Sequence, residues 1–106
     1  MDLNKLGKRS YHLAVVRNKI AEGVSQDELH RQTVSGVFTE GREVEQASET
    51  EMSDHVKSLT QVAEELVDVL LVCVTELHRR GVDIEDAVHK KLKYNEDRIQ
   101  FETSQH

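Results

Sequence analysis

The chain has 106 residues, 37% of them hydrophobic and 4% aromatic, no Trp, and a formal net charge of −6. That length allows one domain rather than two, and the acidic balance excludes nucleic-acid backbone and anionic membrane as main partners, since both require a Lys/Arg surplus. A chain this short buries only about 60 to 65% of the surface its unfolded form exposes, so a thin core, shared through oligomerisation, is expected. From the N-terminus, Leu3, Leu6, Leu13, Val16 and Ile20 keep a helical beat that ends near Gly23. Ser25, with Glu28 three residues on, has the pattern of a capping box and opens a second helix over roughly 26–47. Its apolar members are Leu29, Val34, Val37, Phe38 and Val44. Gly36 and Gly41 inside it each cost about 1 kcal/mol relative to Ala, which predicts close packing or a bend there.

The polar stretch ASETEMSDH, residues 47–55, reads as a loop. A third helix is expected from about 56 to 80. Its centre, LVDVLLVCV, is rich in β-branched residues, yet no turn signal appears before Gly81, and a strand normally ends after about five or six residues. Asp83, with Asp86 three residues on, caps a fourth helix that reaches about Arg98. The expected fold is therefore all-α, a four-helix bundle in a single domain over 1–98, with a frayed tail over 99–106. The lone Cys73 lies in the apolar run, reads as a small buried residue, and excludes an internal disulfide. It fits a reducing, cytoplasmic compartment, and no stretch is apolar and long enough for a signal peptide or a membrane span.

The most apolar segment, AEELVDVLLV at 63–72, carries Glu64, Glu65 and Asp68. Acids are almost never fully buried without a partner, because losing water costs a charge several kcal/mol or more. At about 100° per residue, Glu65 falls between Val69 and Val72 at the edge of the face formed by Leu66, Leu70, Cys73 and Leu77. Asp68 stands one turn on beside it, and Glu64 leans toward solvent. The second helix repeats the arrangement, with Glu40 among Thr33, Val37 and Val44 and Glu43 one turn on. A short loop between the two helices favours antiparallel packing, which brings Glu40, Glu43, Glu65 and Asp68 together. Four such carboxylates raise one another's pKa unless a divalent cation neutralises them. Oxygen-only ligands select a hard ion, Mg²⁺ or Mn²⁺, over zinc. The alternative is an ordinary solvated surface, where acids at this spacing are common.

These residues carry a resemblance. TEGREVEQA followed by AEELVDVLL resembles the E-x-x-E … E-x-x-D signature of the MazG-like, all-α nucleoside triphosphate pyrophosphohydrolases. GVDIEDAVHKKLKYNEDR resembles that family's closing helix, and the similarity covers roughly residues 28–98. Two positions depart from the family pattern: Val72 stands where Tyr is frequent, and Gly41-Arg42 replaces a Gly immediately before the second Glu. The resemblance implies hydrolysis of a nucleoside triphosphate, ribose or deoxyribose, to the monophosphate and pyrophosphate. It implies Mg²⁺ held by Glu40, Glu43, Glu65 and Asp68, with Glu40 or Glu43 activating the water. Lys91, Asn95 and Arg98 would meet the nucleotide or its phosphates, and assembly as a homodimer or homotetramer would complete the site.

Two other readings compete. A di-metal carboxylate bundle needs Glu-x-x-His on two helices, and no Glu here has a His three residues on; Asp86 and His89 have that spacing once. A non-catalytic helical oligomerisation or regulatory module would tolerate loss of Glu65 and Asp68 and show no metal-dependent stability.

Overall fold

The computed structural model describes residues 1–104, with side chains through Ile99. It contains four helices, α1 (Leu3–Val16), α2 (Gln26–Gln46), α3 (Gln61–Arg79) and α4 (Ile84–Ser104), and no strand among the described residues. The all-α expectation holds.

Local capping chemistry sets most of the helix ends. Asp2 caps α1 by accepting from the backbone N–H of Asn4 at 2.9 Å and of Lys5 at 3.2 Å. Ser25 caps α2 by accepting from the Glu28 N–H at 3.2 Å. Only half of the expected capping box forms, because the Glu28 carboxylate turns to Arg31 and Gln32 instead. Asp83 accepts from the Asp86 N–H at 3.2 Å and starts α4, as expected. Gly81, at φ 70, closes α3 in the left-handed conformation that glycine adopts without strain.

Two boundaries differ from the sequence expectation. Helix α1 stops at Val16 rather than near Gly23, because Asn18 takes φ 57 and turns the chain out of the helix. Helix α3 starts at Gln61 rather than near 56, because Thr60 is its N-cap and accepts from the Ala63 N–H at 3.2 Å. Residues 47–60 instead form a loop tied by serines. Ser53, buried, accepts from the His55 and Val56 N–H groups at 3.0 and 3.1 Å. At the other end, α4 continues past Arg98 to Ser104. Of the expected tail 99–106, Gln105 and His106 lie outside the described residues.

Helix α3 is the hub. It packs against α1, α2 and α4, and α1 also meets α4, whereas among the described residues α2 touches no helix but α3. The N-termini of α1 and α4 are clipped together by Asn4, whose amide donates to Asp83 at 2.9 Å and accepts from the Ile84 N–H at 2.6 Å. The core sits at that junction and is as thin as the composition suggested. Among the described residues its buried hydrophobic members are Val74 and Ile84. A Cβ on Gly7 would lie 2.6 Å from Ile84 Cδ1 and 3.0 Å from the Val74 carbonyl oxygen, so α1 approaches α3 closely only because this residue has no side chain. Gly7→Ala is therefore expected to destabilise the protein: overpacking costs about 1 to 3 kcal/mol and exceeds the helix-propensity gain of about 1 kcal/mol. Chemical unfolding checks this. A midpoint equal to or above that of the parent would mean the junction is loose. Gly36 and Gly41 behave differently from the expectation of close packing. A Cβ at Gly36 would make only an ordinary contact with Val72, and Gly41 faces open space.

The molecule is extended, with a radius of gyration of 16.6 Å and dimensions of 50 × 40 × 26 Å. A compact chain of this length has a radius of gyration of about 13 Å. Correspondingly, the apolar face expected to be core on α3 is open: Leu66 and Leu70 are about half exposed and Cys73 is exposed. Phe38 on α2 is 69% exposed, and Leu92 and Ile99 on α4 are also exposed. No helix among the described residues is long and apolar enough to cross a membrane.

Candidate metal centre

Helices α2 and α3 lie side by side, and each contributes two acids one turn apart. One carboxylate oxygen from each of Glu40, Glu43, Glu65 and Asp68 lies within 4.8 Å of the other three. Helical spacing stacks each pair on one face, and the α2–α3 contact brings the two faces together. A divalent cation with oxygen ligands at about 2.1 to 2.4 Å spans about 4.2 to 4.8 Å between opposite ligands, so the cluster has the size such an ion needs.

The electrostatics of the cluster are unfavourable without a cation. Burial pushes the Glu40 carboxyl up to about 7, reinforced by Glu43, Asp68 and Glu65. Glu65 is raised by burial and then by Glu43 and Asp68. Asp68 is raised by burial and by Glu64, with a hydrogen bond from Glu65 and, more weakly, the charge of Arg17 pulling the other way. In addition, Oε2 of Glu40 and Oε2 of Glu65 are buried with no hydrogen-bond partner. Leaving a buried acceptor unsatisfied costs about 1 to 3 kcal/mol, more for a charged group. Two orphaned carboxylate oxygens on residues of one acidic cluster fit a hard divalent ion.

The cluster separates two cavities. The larger, about 800 Å³, lies between α1, α2 and α3 and is bordered by Glu40, Glu43 and Asp68. Arg17, Lys19 and Arg31 line the same cleft. The smaller, about 260 Å³, is bordered by Glu43 and Glu65 and by Ser53, His55 and Glu64 of the loop side. Glu64 does not lean into solvent as its helical angle suggested. Its side chain is 15% exposed, accepting from Ser53 Oγ at 2.8 Å and lying 3.2 Å from His55 Nδ1. The 47–60 loop folds back over the start of α3, and so covers it.

Glu76, which also lines the larger cleft, anchors a largely buried ionic clamp. Glu76 accepts from Arg79 Nη1 at 3.2 Å, from Arg80 Nη1 at 3.2 Å and from Thr33 Oγ1 at 2.8 Å. The Arg79 guanidinium also donates to Gln32 Oε1 at 2.8 Å and to the Ala21 carbonyl oxygen at 3.2 Å. This clamp joins α3 to α2 and to the segment after α1. It therefore holds three walls of the cleft in register.

Lys91, Asn95 and Arg98 lie elsewhere. All three are exposed on α4, and none borders the cleft of its own chain. Lys91 Nζ sits 4.6 Å from the centroid of the Tyr94 ring and Arg98 Cζ 5.5 Å from it, so the aromatic ring holds two cations on one helix face. Within a single chain, the four carboxylates are brought together and the three α4 residues are kept apart from them.

Sequence reasoning missed several residues that shape this site. Arg17 and Lys19 were hidden by a helical beat that continued past the true end of α1. Glu76 and Arg79 are three positions apart, a spacing shared by ordinary exposed helix pairs, so nothing local marks them as buried. The Ser53–Glu64 bond joins a loop to a helix, and no local pattern announces it.

The fold and site thus define an all-α protein with a four-carboxylate cluster suited to a divalent cation. Comparison of the chain with protein-family models, with curated proteins and with solved structures finds no match.

Proposed function

We propose that this protein is a divalent-metal-dependent nucleoside triphosphate pyrophosphohydrolase of the MazG-like kind, acting in the cytoplasm. The observation that carries the reading is the cluster of Glu40, Glu43, Glu65 and Asp68, two of whose buried oxygens have no partner, at the edge of a cleft that also holds cations. The four carboxylates would hold Mg²⁺, with Mn²⁺ as an equivalent. When bound, such an ion offsets the charge of a triphosphate and of the transition state. Glu40 or Glu43 aligns the attacking water and takes its proton. Water adds to phosphorus, the bond between the α- and β-phosphates breaks, and the products are a nucleoside monophosphate and pyrophosphate.

A panel of NTPs and dNTPs with Mg²⁺, assayed for pyrophosphate, tests this directly. Glu65→Gln and Asp68→Asn are each expected to lower turnover by on the order of 100-fold or more, as for loss of a group that stabilises transition-state charge. Full activity in both variants would refute the assignment, and metal binding without any turnover would leave a metal-binding helical module.

A second copy of the chain completes this reading. The open face of Leu66 and Leu70 on α3 and the exposed residues of α4 offer an apolar surface that a monomer leaves in water. In a homodimer or homotetramer, α4 of one subunit would carry Lys91, Asn95 and Arg98 to the cleft of its partner. Sedimentation should show an oligomer, and Leu66→Asp with Leu70→Asp should reduce it to monomers. A parent protein that sediments as a monomer at all concentrations would defeat the shared site.

A further inference from the structure

We infer that Arg17 and Lys19, at the end of α1, form an anion subsite that grips phosphates of a polyphosphate ligand on the same chain as the carboxylate cluster. The inference rests on the proposed phosphohydrolase reading and adds residues to it that the α4 cations do not supply.

The larger cleft has two chemically opposite walls. Glu40, Glu43 and Asp68 border it from α2 and α3, while Arg17 and Lys19 border it from the segment that follows α1. Arg17 lies near enough to Asp68 to oppose the rise in that carboxyl's pKa. Neither cation has an acidic hydrogen-bond or ion-pair partner among the described residues. Arg31, which lines the same cleft, is by contrast committed to Glu28. So two exposed cations without a hydrogen-bonded acidic partner among the described residues line a cavity of about 800 Å³.

Their backbone is held rather than loose. The Lys19 N–H donates to the Ala14 carbonyl oxygen at 2.9 Å, and Asn18 turns the chain with φ 57. The Arg79 guanidinium grips the Ala21 carbonyl oxygen at 3.2 Å, and Tyr11 Oη donates to Glu22 at 3.0 Å. Such anchoring reduces the ordering cost when the side chains close on a ligand. A ligand that satisfies both walls carries its own negative charge for Arg17 and Lys19 and reaches the carboxylates through a divalent cation. A metal–polyphosphate has that composition, and a neutral or cationic ligand does not.

Calorimetry with inorganic tripolyphosphate, with and without Mn²⁺, tests the subsite apart from turnover. Arg17→Gln and Lys19→Gln are each expected to weaken tripolyphosphate binding about tenfold, the loss of one charge-assisted contact. Mn²⁺ affinity, read by electron paramagnetic resonance, should stay level or tighten, since a competing positive charge has left the cluster. Arg17→Lys should recover part of the loss. Lys5→Gln and Lys8→Gln change the net charge equally but lie outside the cleft, and should have no effect. Unaltered tripolyphosphate binding in the cleft variants, equal weakening in the control variants, or no binding by the parent protein overturns the inference. A parent that binds tripolyphosphate through Arg17 and Lys19 yet takes up no Mn²⁺ would uphold the subsite while sinking the metal reading.

Discussion

Glu76→Ala is expected to cost about 3 to 5 kcal/mol of stability, because it leaves a buried guanidinium without its counter-charge. The Arg79 side chain is only 5% exposed and Glu76 10% exposed, so solvent screens the unpaired guanidinium poorly. Against a total of about 5 to 15 kcal/mol for a small domain, that loss brings the protein close to unfolding at ambient temperature. Arg79→Ala should cost less, since Glu76 keeps Arg80 and Thr33. Replacing both members of the pair with apolar residues of similar volume should recover much of the stability, which a double-mutant cycle in urea measures. A loss below about 1 kcal/mol for Glu76→Ala would show the pair to be solvated, as exposed pairs are.

The second expectation concerns pH and metal together. The Glu40 carboxyl is raised from 4.5 to about 7 in the folded protein, burial being the main cause. Between those values the folded state holds a proton that the unfolded state has released, so metal-free stability falls as pH rises through this window. Glu65 and Asp68 are raised as well and act in the same direction. In EDTA the melting temperature should therefore be higher at pH 5 than at pH 8. A divalent cation binds the ionised carboxylates and should reverse that trend. At one hundred times its Kd it adds about 2.7 kcal/mol, a rise on the order of 10 °C for a domain of this size. Glu40→Gln should raise the metal-free melting temperature at pH 8 and abolish most of the response to Mg²⁺ or Mn²⁺. Melting curves that are flat or rising from pH 5 to 8 in EDTA would mean that the four acids do not share one site in solution.

The acidic pairs were legible because their geometry is local. Glu40 with Glu43, and Glu65 with Asp68, share a helix face by spacing alone, and only the α2–α3 contact had to be supplied for them to converge. The caps at Ser25 and Asp83 were legible for the same reason, since an N-cap involves residues two or three apart. Two helix ends were misjudged. Ile20 fits the apolar beat of α1 but follows the turn at Asn18, and the third helix, expected to begin where the polar stretch 47–55 ends, waits for the cap at Thr60. In both, one residue with tolerance of positive φ or local hydrogen-bonding capacity set the boundary, where pattern is weakest.

Helix count, the all-α class and the pairing of acids on each rod follow from short-range rules: turn geometry, capping and the 3.6-residue period. Which side of each rod is wet does not. Leu66 and Leu70 belong to an apolar stripe and stand open, whereas Glu64, Glu76 and Arg79 are covered. Coverage depends on what packs from distant parts of the chain: the 47–60 loop folding back onto Glu64, the segment after α1 closing on Arg79, and α4 leaving toward α1. Those placements are set by the balance of burial, close approach at Gly7 and buried charge pairing across the whole molecule, and no window of neighbouring residues encodes that balance.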